Sequence, residues 1–475
     1  MKNITGSRQV IIIVAVFIVS RMLAIGIGLR MDSWALSAYW QYLDLETLKH
    51  HLLTGVWYDH AQPPVFNLFL GSVLKIGAGQ SIVIFAIILR LITLANALFL
   101  FAILKKLNLA GFLPLIVALL YILSPATLVL ECELFYTSSV SLLLLVSVYF
   151  LIRLKESNSH WNAYGFIFSL ALLCLTRSIY HILWLFLIAA FMIYYFRKAV
   201  VFNYLILASL LGIILVGSWY MKNKILFGKF TSSTWIGMNL ARNVFHDNEI
   251  KDSGRIEAYL PFSKISVYRK FLDPEYEGQF RELNNRDLLQ EMKNDSFINL
   301  TEVSYIPVSD LYQKASLEHI GNHPVAYAKN VVQSSILYFT PATVYSLNLK
   351  LAEKIKYYDL LYSFNLKYFA YGKLQGRILL TISAIPKIIL YLFVFFVFIR
   401  YWIRNRSISP WNLFIVITIG YVFGISSLFE HFENMRFRFE TEPLFLIVAA
   451  QVFSWLYARS KKLKAESIKQ NAINN

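Results

Sequence analysis

The chain alternates between long apolar blocks and short polar connections. The apolar blocks are about 20 residues long, which is the length that an α-helix needs to cross the hydrocarbon core of a bilayer. This pattern predicts an all-α polytopic membrane protein with about ten transmembrane helices. They are expected near residues 9–29, 81–103, 110–128, 135–152, 162–177, 180–196, 201–219, 378–399, 411–428 and 443–458. The first block lacks a small-residue cleavage site, so it predicts a retained helix rather than a removable signal peptide.

The apolar blocks also divide the chain into four parts. Residues 1–219 form an N-terminal membrane bundle that carries a first loop at 30–80, and residues 220–376 form an external, partly ordered segment. Residues 377–458 form a C-terminal group of membrane helices, and residues 459–475 form a basic tail. No internal repeat is visible, which argues against the common transporter plans.

The external segment has a mixed composition that indicates partial order. It includes the acidic stretches 247–249 and 274–277, and residues 286–295 have a pattern typical of a helix. The apolar stretch 326–341 is interrupted by polar side chains, which predicts an amphipathic helix that lies on the membrane surface. A further membrane span is the alternative for this stretch.

Composition and charge agree with a membrane protein. Hydrophobic residues make up 57% of the chain, well above the share in soluble domains. The formal net charge of +17 comes from Lys and Arg in the connections between blocks, so no nucleic-acid partner is expected. By the positive-inside rule, both termini are cytosolic, and we predict an integral protein of a bacterial inner (plasma) membrane. Cys132 and Cys174 are too few for a disulfide framework.

This orientation places three polar clusters, residues 44–64, 131–136 and 430–442, on the external side of the membrane. In the first cluster, Asp44 precedes leucines at helical spacing, which predicts a short amphipathic helix that ends at Gly55. The pair Pro63-Pro64 then redirects the chain into an apolar helix. Polar chemistry concentrated at one membrane face is typical of an enzyme with a membrane-anchored substrate.

A carboxylate in the first cluster can deprotonate an acceptor hydroxyl, a role that contributes about 10²–10⁴-fold to a rate. Asp44 is the first candidate, and Asp32 and Asp59 are alternative bases. An ordinary solvated loop is the structural alternative for the whole cluster.

The first loop resembles that of the GT-C superfamily of lipid-carrier-dependent glycosyltransferases. The shared features are an early Asp with a second acid nearby, a helical stretch, aromatic residues, a His, and Pro63-Pro64 before an apolar helix. The resemblance is greatest to family 39, the protein O-mannosyltransferase-like enzymes, and to their bacterial relatives. It continues in the second loop with Glu131, Glu133 and Tyr136, and it covers nearly the whole chain in architecture.

The resemblance implies a GT-C-type helix bundle in which Asp44 is the catalytic base. It also implies that Glu131 or Glu133 helps to position the acceptor or a cation. Supporting or acceptor-binding roles fall to Glu46, Glu133, His60, Gln62 and Tyr136. The sequence departs from the mannosyltransferase pattern in two ways: Asp44 and Glu46 are not adjacent, and His60 lies two residues before Gln62 instead of directly before Pro63. The identity of the acceptor and the need for a metal therefore stay open.

Cationic side chains are expected to bind the phosphate of the donor. Arg436 and Arg438 are the first candidates, because they lie at the outer mouth of the last predicted span, where a guanidinium can bind phosphate in a bidentate manner. The alternative is that both are interface anchors paired with neighbouring carboxylates.

Further cations lie near or within the predicted spans. Arg177 is a second candidate for the phosphate, and Lys387 could reach it if its helix is kinked at the preceding proline. For the deeper Arg21 and Arg90, structural pairing inside the bundle is predicted, because an unpaired charge there costs about 2.5–3.5 kcal/mol.

The stretch around Trp235 and Asn239 combines aromatic, hydroxyl and amide groups, which suits sugar binding; an ordinary Gly-punctuated loop is an equal alternative. No Gly-rich phosphate loop with Lys and no HExxH motif occurs in the sequence. The donor is therefore expected from the lipid phase, as a polyprenyl-phosphate sugar. No other cofactor is predicted except a possible divalent cation.

These observations lead to a functional hypothesis. The chain is expected to be an inverting hexosyl- or pentosyltransferase that moves a sugar from a polyprenyl-phosphate donor to a protein, glycan or glycolipid acceptor at the outer, extracytoplasmic face. The alternatives are a transporter or lipid flippase of envelope biogenesis and a non-catalytic scaffold of an envelope-assembly complex.

Overall fold

The computed structural model describes residues 2–109, 111–245, 278–279, 281, 286–293, 297–345 and 349–474. Within these ranges the protein is almost entirely helical. The acidic stretches 247–249 and 274–277 lie outside the described residues.

The first half of the chain forms a series of helices. In chain order they are α1 (Lys2–Gly26), α2 (Trp34–Ala38), α3 (Leu45–His50), α4 (Leu52–Tyr58), α5 (Pro64–Gly77), α6 (Ser81–Lys106), α7 (Leu113–Leu123), α8 (Pro125–Leu130), α9 (Thr137–Ser157), α10 (His160–Thr176), α11 (Ile182–Tyr195), α12 (Phe202–Phe227) and α13 (Ile236–Phe245). Local sequence explains many of the boundaries. Helix α8 begins at a proline, which needs no hydrogen-bond acceptor there, and α12 ends where Gly228 adopts a left-handed conformation.

The second half adds a two-stranded sheet and further helices. They are α14 (Arg286–Leu289), β1 (Met292–Lys293), β2 (Phe297–Ile298), α15 (Tyr305–Asn322), α16 (Pro324–Tyr338), α17 (Leu349–Glu353), α18 (Lys356–Ser363), α19 (Lys373–Asn405), α20 (Pro410–Phe429) and α21 (Asn434–Asn474). Strands β1 and β2 are antiparallel, with Met292 opposite Ile298. Short 3₁₀ turns cover Ala78–Gln80, Ala342–Val344 and Lys367–Phe369.

Seven helical segments among the described residues are long and apolar enough to cross a membrane. They are Gly6–Gly26, Ser81–Lys106, Thr137–Ser157, Phe202–Phe227, Leu374–Asn405, Pro410–Phe429 and Asn434–Lys461. The prediction of an all-α integral membrane protein is supported by these segments. The remaining three predicted spans are the shorter apolar helices α7, α10 and α11, so the count of about ten is not confirmed.

The first loop forms more helix than its sequence pattern suggests. The predicted helix begins at Leu45, but a second helix, α4, runs through Gly55 to Tyr58, so the glycine does not end it. Helix α5 begins at Pro64, as the proline pair predicts. Its small residue Gly71 faces the preceding helices, where a Cβ atom would lie 2.3 Å from a methyl group of Leu52.

The external segment differs from one prediction and agrees with another. The helix expected over 286–295 ends at Leu289, and the chain turns into strand β1 three residues later, so this prediction is wrong in extent. The helix expected over 326–341 is present as α16. This helix packs against α13, α15, α20 and α21.

The main core lies between the long helices. Helix α9 packs against α6, α10, α20 and α21, and its buried side chains, such as Leu144 and Val148, are almost fully enclosed. Because α10 and α20 end at the same end of the bundle where α9 and α21 begin, the residues next to these four termini lie close together. The candidate site is built there.

Candidate functional site

A cavity of about 380 Å³ lies among these helix termini. Tyr136 directly precedes α9, Arg177 follows α10, Glu430 follows α20, and Arg436 lies in the first turn of α21. The cavity is called the arginine cavity below. Six residues predicted from sequence line it: Gln62, Tyr136, Arg177, Trp235, Asn239 and Arg436.

Arg436 is held by charge and by aromatic rings. Its guanidinium forms an ion pair with Glu433, one turn earlier, and lies 4.0 Å from the ring centre of Phe135. The residue is only 1% exposed. Its Nε and Nη1 atoms are buried and make no hydrogen bond to any described residue. Buried guanidinium donors without protein acceptors are uncommon and point to a ligand or water as their partner.

Arg177 is a second arginine that lines the cavity. It pairs with the buried carboxylate of Glu440 on α21, and its guanidinium lies 3.8 Å from the ring centre of Phe437. Burial is the largest cause of the shift that lowers the pKa of Arg177 to about 10, so the side chain is still charged at neutral pH. The Arg177–Glu440 ion pair therefore joins the end of α10 to α21, two helices that are distant in sequence.

Arg242 is a third arginine of the cavity, and sequence reasoning missed it. Its Nη1 lies 3.0 Å from Glu430 and 3.7 Å from Glu433, and its Nη2 donates to the backbone carbonyl of His431. Trp235, Asn239 and Arg242 are spaced by four and three residues, so they share one face of α13. This helical spacing is the signal in the sequence that could have identified Arg242.

Helix α13 holds that face through an unusually close contact. A Cβ atom at Gly237 would lie 1.8 Å from the backbone oxygen of Ser309 on α15, so only glycine fits this crossing. Trp235 is fixed as well, because its indole nitrogen donates to the carbonyl of Leu300 at 3.2 Å. The sugar-binding candidates Trp235, directly before α13, and Asn239, within it, are thus positioned by a tightly packed helix.

The cavity also has an apolar side. Leu183, Ile236, Ile425 and Phe429 line it, and they come from α11, α13 and α20. Leu183 is 68% exposed and Ile236 is 48% exposed. These exposed apolar side chains lie on helices α11 and α13, so the charged cavity has an apolar margin.

The two glutamates of the cavity have opposite pKa shifts. Burial raises the pKa of Glu430 to about 7, against a smaller opposing effect of Arg242. Burial also acts on Glu433, but the charges of Arg436 and Arg242 outweigh it and lower the pKa of that carboxyl. Glu433 additionally accepts a hydrogen bond from the hydroxyl of Tyr345. The cavity therefore contains a firmly ionised carboxylate and one that titrates near neutrality.

Asp44 does not line the arginine cavity. It is 5% exposed and caps α3, where its carboxylate accepts a hydrogen bond of 2.9 Å from the backbone N–H of Glu46. Glu46 lies on the exposed side of that helix, 3.7 Å from His50. The catalytic role of Asp44 and the supporting role of Glu46 stay predictions.

Glu131 is engaged in a buried ion pair. Its carboxylate accepts hydrogen bonds of 2.9 Å and 2.8 Å from the Nε and Nη2 of Arg21 on α1. Arg21 also donates to the carbonyl of Ile122 at 2.7 Å. The pairing predicted for Arg21 is present. The neighbouring Glu133 is 3% exposed and forms a β-bridge with Asp32, which joins the first two loops.

His60 is fully buried below the polar side of the cavity. Its Nδ1 lies 2.7 Å from the hydroxyl of Thr234, and its Nε2 lies 3.0 Å from the carbonyl of Thr301. Burial lowers the pKa of His60 to about 3, so the ring is neutral. Asp59 accepts hydrogen bonds from the backbone N–H groups of Ala61 and Gln62. These contacts shape the loop that presents Gln62.

Two predicted phosphate ligands lie outside the arginine cavity. Arg438 is buried and paired with Glu442, one turn further along α21. Lys387 lies half-buried on α19, beyond the kink-prone Pro386. The structure thus separates Arg436 from Arg438, although they are only two residues apart.

The described residues do not fit a metal ion. No group of three His, Cys, Asp or Glu side chains in this part of the chain has a suitable arrangement. The carboxylates Glu131, Glu430 and Glu433 each face an arginine instead.

Comparison with known proteins identifies no relative. No protein-family model matches the chain, and neither a curated protein nor a solved structure matches it.

Proposed function

We propose that this protein is a GT-C-type glycosyltransferase that transfers a sugar from a polyprenyl-phosphate donor to a protein, glycan or glycolipid. The observation that carries the proposal is the buried guanidinium of Arg436, which lines the cavity with two N–H donors that no described residue satisfies. A phosphate oxygen is an acceptor that such a group binds strongly, through charge-assisted hydrogen bonds.

The three sides of the arginine cavity correspond to the three parts of such a donor. Arg177, Arg242 and Arg436 surround the space that suits the phosphate. The apolar side between α11, α13 and α20 suits the first isoprene units, and the Trp235–Asn239 face of α13 suits the sugar. Aromatic rings and amides are common in sugar sites because they stack on and hydrogen-bond a pyranose.

The reaction is a single displacement with inversion at the anomeric carbon. An acceptor oxygen forms the new bond to that carbon, the carbon–oxygen bond to phosphate breaks, and its electron pair stays on the phosphate oxygen. The arginines stabilise the charge that develops there. The acceptor proton passes to a carboxylate. Asp44 is the base that the family resemblance implies, and Glu430 is a carboxylate that lines the cavity.

The proposal includes an orientation. The loop end of the bundle, with α13 and the arginine cavity, faces the outside of a bacterial inner membrane, and ten helices cross it, including the short α7, α10 and α11. Both native cysteines are buried. A cysteine introduced at the exposed Lys314 should therefore react with an impermeant maleimide added to intact cells, whereas one introduced at Ser460 should react only after lysis.

The experiment that tests the activity compares two donors. Purified protein in lipid vesicles is supplied with a radiolabelled polyprenyl-phosphate sugar or with the same sugar as a nucleotide, together with an envelope extract as acceptor. Transfer from the lipid-linked donor alone is expected. Transfer from the nucleotide sugar alone would refute the proposal.

Lipid translocation is a second candidate function. Two carboxylates, Glu440 and Glu442, lie within the spanning helix α21, and each is paired with an arginine. Charged pairs inside a membrane span are also typical of transporters. A scrambling assay with a fluorescent polyprenyl phosphate distinguishes the two functions, because a transferase leaves the lipid in its original leaflet.

A further inference from the structure

A second cavity, of about 540 Å³, lies apart from the arginine cavity and shares none of its lining residues. Its described lining residues are Thr343 and Val344, several residues of α17 with the following Lys354, the first residue of α18, and Asn365, Lys367 and Tyr368. Four lysines line it: Lys350, Lys354, Lys356 and Lys367. Glu353 is the one carboxylate among the described lining residues, so the surface of this lysine cavity has a strong positive charge.

The wall of the lysine cavity is organised by a buried aspartate. Asp359 is 0% exposed, and its Oδ2 accepts hydrogen bonds from Thr343, from Asn365 at 2.8 Å and from Tyr368 at 3.0 Å. These three donors all line the cavity. The Asn365 side chain also accepts from the backbone N–H of Lys367, which fixes the turn that carries this lysine. A wall held in this way is preorganised for a ligand.

The lysine cavity lies beside a surface with the character of a membrane interface. On α18, Tyr358 and Tyr362 donate to the carbonyls of Leu123 and Leu120, at the end of α7. The adjacent Leu361 is 86% exposed. Tyrosines at a helix end with an exposed leucine between them are typical of the headgroup level of a bilayer. A ligand in the cavity can therefore be reached from the lipid phase.

We infer that the lysine cavity binds the phosphate ester of a lipid headgroup. Lysine is a common phosphate ligand, and the positive charge of the four lysines complements a phosphate mono- or diester. Two of them also donate to backbone carbonyls, Lys354 to Gly28 at 2.6 Å and Lys367 to Val344 at 3.5 Å, which holds them at the wall. The exposed apolar surface of α18 suits the acyl chains.

The wall of the lysine cavity is connected along the chain to a residue that contacts the arginine cavity. Thr343 and Val344 line the lysine cavity, while the following residue, Tyr345, donates to Glu433 of the arginine cavity. The inference concerns binding and does not depend on the transferase activity.

Binding can be measured with the full chain in a neutral detergent. Isothermal titration calorimetry with dioctanoyl phosphatidic acid is expected to show saturable binding. In the double variant Lys356→Gln/Lys367→Gln the dissociation constant should rise by about tenfold or more, because two charge-assisted contacts are lost. The matched control is Lys314→Gln, an exposed lysine on α15, which should bind like the wild type. Thermal unfolding verifies that both variants are folded.

Two further titrations separate the sources of the phosphate group. Dioctanoyl phosphatidylcholine, whose headgroup has no net charge, is expected to bind more weakly than phosphatidic acid. Inorganic phosphate should also be weak, since it lacks the acyl chains. Equal affinity for inorganic phosphate and phosphatidic acid would overturn the assignment to a lipid. Absence of saturable phosphatidic acid binding, or unchanged binding in the double lysine variant, would overturn the site itself.

Discussion

The hydroxyl of Tyr345 donates a hydrogen bond of 3.0 Å to the carboxylate of Glu433, the same carboxylate that forms the ion pair with Arg436. The tyrosine ring also lies 5.4 Å from the Arg436 guanidinium. Glu433 is thus shared between a neutral donor and a cation. In the proposed transferase, the strength with which Glu433 holds Arg436 sets how readily that arginine can bind the donor phosphate.

The variant Tyr345→Phe tests this relationship. It removes the hydroxyl and keeps the ring, so Glu433 loses one donor and holds Arg436 more tightly. We expect the KM for the polyprenyl-phosphate donor to rise by about tenfold, equivalent to about 1.4 kcal/mol. Tyr358→Phe is the control, because that hydroxyl donates to a carbonyl at the end of α7. A donor KM that is equal in both variants would contradict the coupling.

The two neighbouring arginines of α21 give a matched pair of variants. Arg436→Lys keeps the charge but loses the planar fork, and it should lower kcat/KM by at least about tenfold if Arg436 grips the phosphate. Arg438→Lys changes the same chemistry outside the cavity and should stay within about twofold of wild type. Steady-state transfer in vesicles measures both. Equal effects would remove Arg436 from the donor site.

Asp44 can be tested without disturbing its helix, because asparagine caps a helix as well as aspartate does. Asp44→Asn should lower transfer by about 10²–10⁴-fold with an unchanged melting temperature if the carboxylate is the base. Asp44→Ala should in addition lower the free energy of unfolding by about 0.5–2 kcal/mol. Full activity of Asp44→Asn would transfer the role of base to another carboxylate, and Glu430 would be tested next.

The pKa of about 7 at Glu430 predicts a pH dependence of donor binding. Below this pH the carboxyl is neutral, Arg242 loses its nearest negative partner, and the cavity gains one positive charge. The donor is a phosphodiester that stays ionised throughout. We therefore expect the donor KM to increase as the pH rises through 7.

The same shift has a consequence for stability. The folded-state pKa of Glu430 lies above the value of an exposed glutamate, so its contribution favours the fold at low pH and is lost as the pH rises toward 7. Glu430→Gln should abolish the pH dependence of both the donor KM and this part of the unfolding free energy. The exposed Glu318→Gln should leave both dependences in place. A pH-dependent donor KM in Glu430→Gln would assign the titration to another group.

The Arg21–Glu131 pair distinguishes a structural from a catalytic glutamate. Arg21→Met leaves a buried charge without its partner and should lower the free energy of unfolding by about 3–5 kcal/mol. Arg21→Met combined with Glu131→Gln removes both charges and should restore most of the lost free energy of unfolding. If the double variant is stable but inactive, Glu131 acts on the acceptor. If the double variant transfers sugar like the wild type, Glu131 has a structural role only.

The hydrophobic pattern predicted the helical membrane architecture because apolar blocks of spanning length have few other solutions. It failed where local signals were weak. Gly55 was expected to end a helix, yet α4 continues through it, because its buried residues Leu52 and Val56 pack against the main core. Likewise, the helix at 286–295 gave way to strand β1, whose antiparallel pairing with β2 is a non-local contact.

In the candidate site, too, some features could be predicted from the sequence and others could not. Interface arginines and polar clusters could be recognised one by one, so six predicted residues line the arginine cavity. Their partners could not be recognised, because a sequence does not show that Arg177 meets Glu440 or that Arg21 meets Glu131. Arg242 was missed, although its spacing of three residues from the candidate Asn239 is helical.

The Arg21–Glu131 pair also imposes an order on the biosynthesis of the protein. The two partners are 110 residues apart. At about 5–20 residues per second, the ribosome delivers the glutamate roughly 5 to 20 seconds after the arginine. During that interval the charge of Arg21 has no partner from this pair, and its cost within a bilayer is at most the value of about 2.5–3.5 kcal/mol that applies at the centre of a helix. This cost favours retention of α1 by the insertion machinery, or a shallow position of α1 in the bilayer, until the loop after α8 has been synthesised.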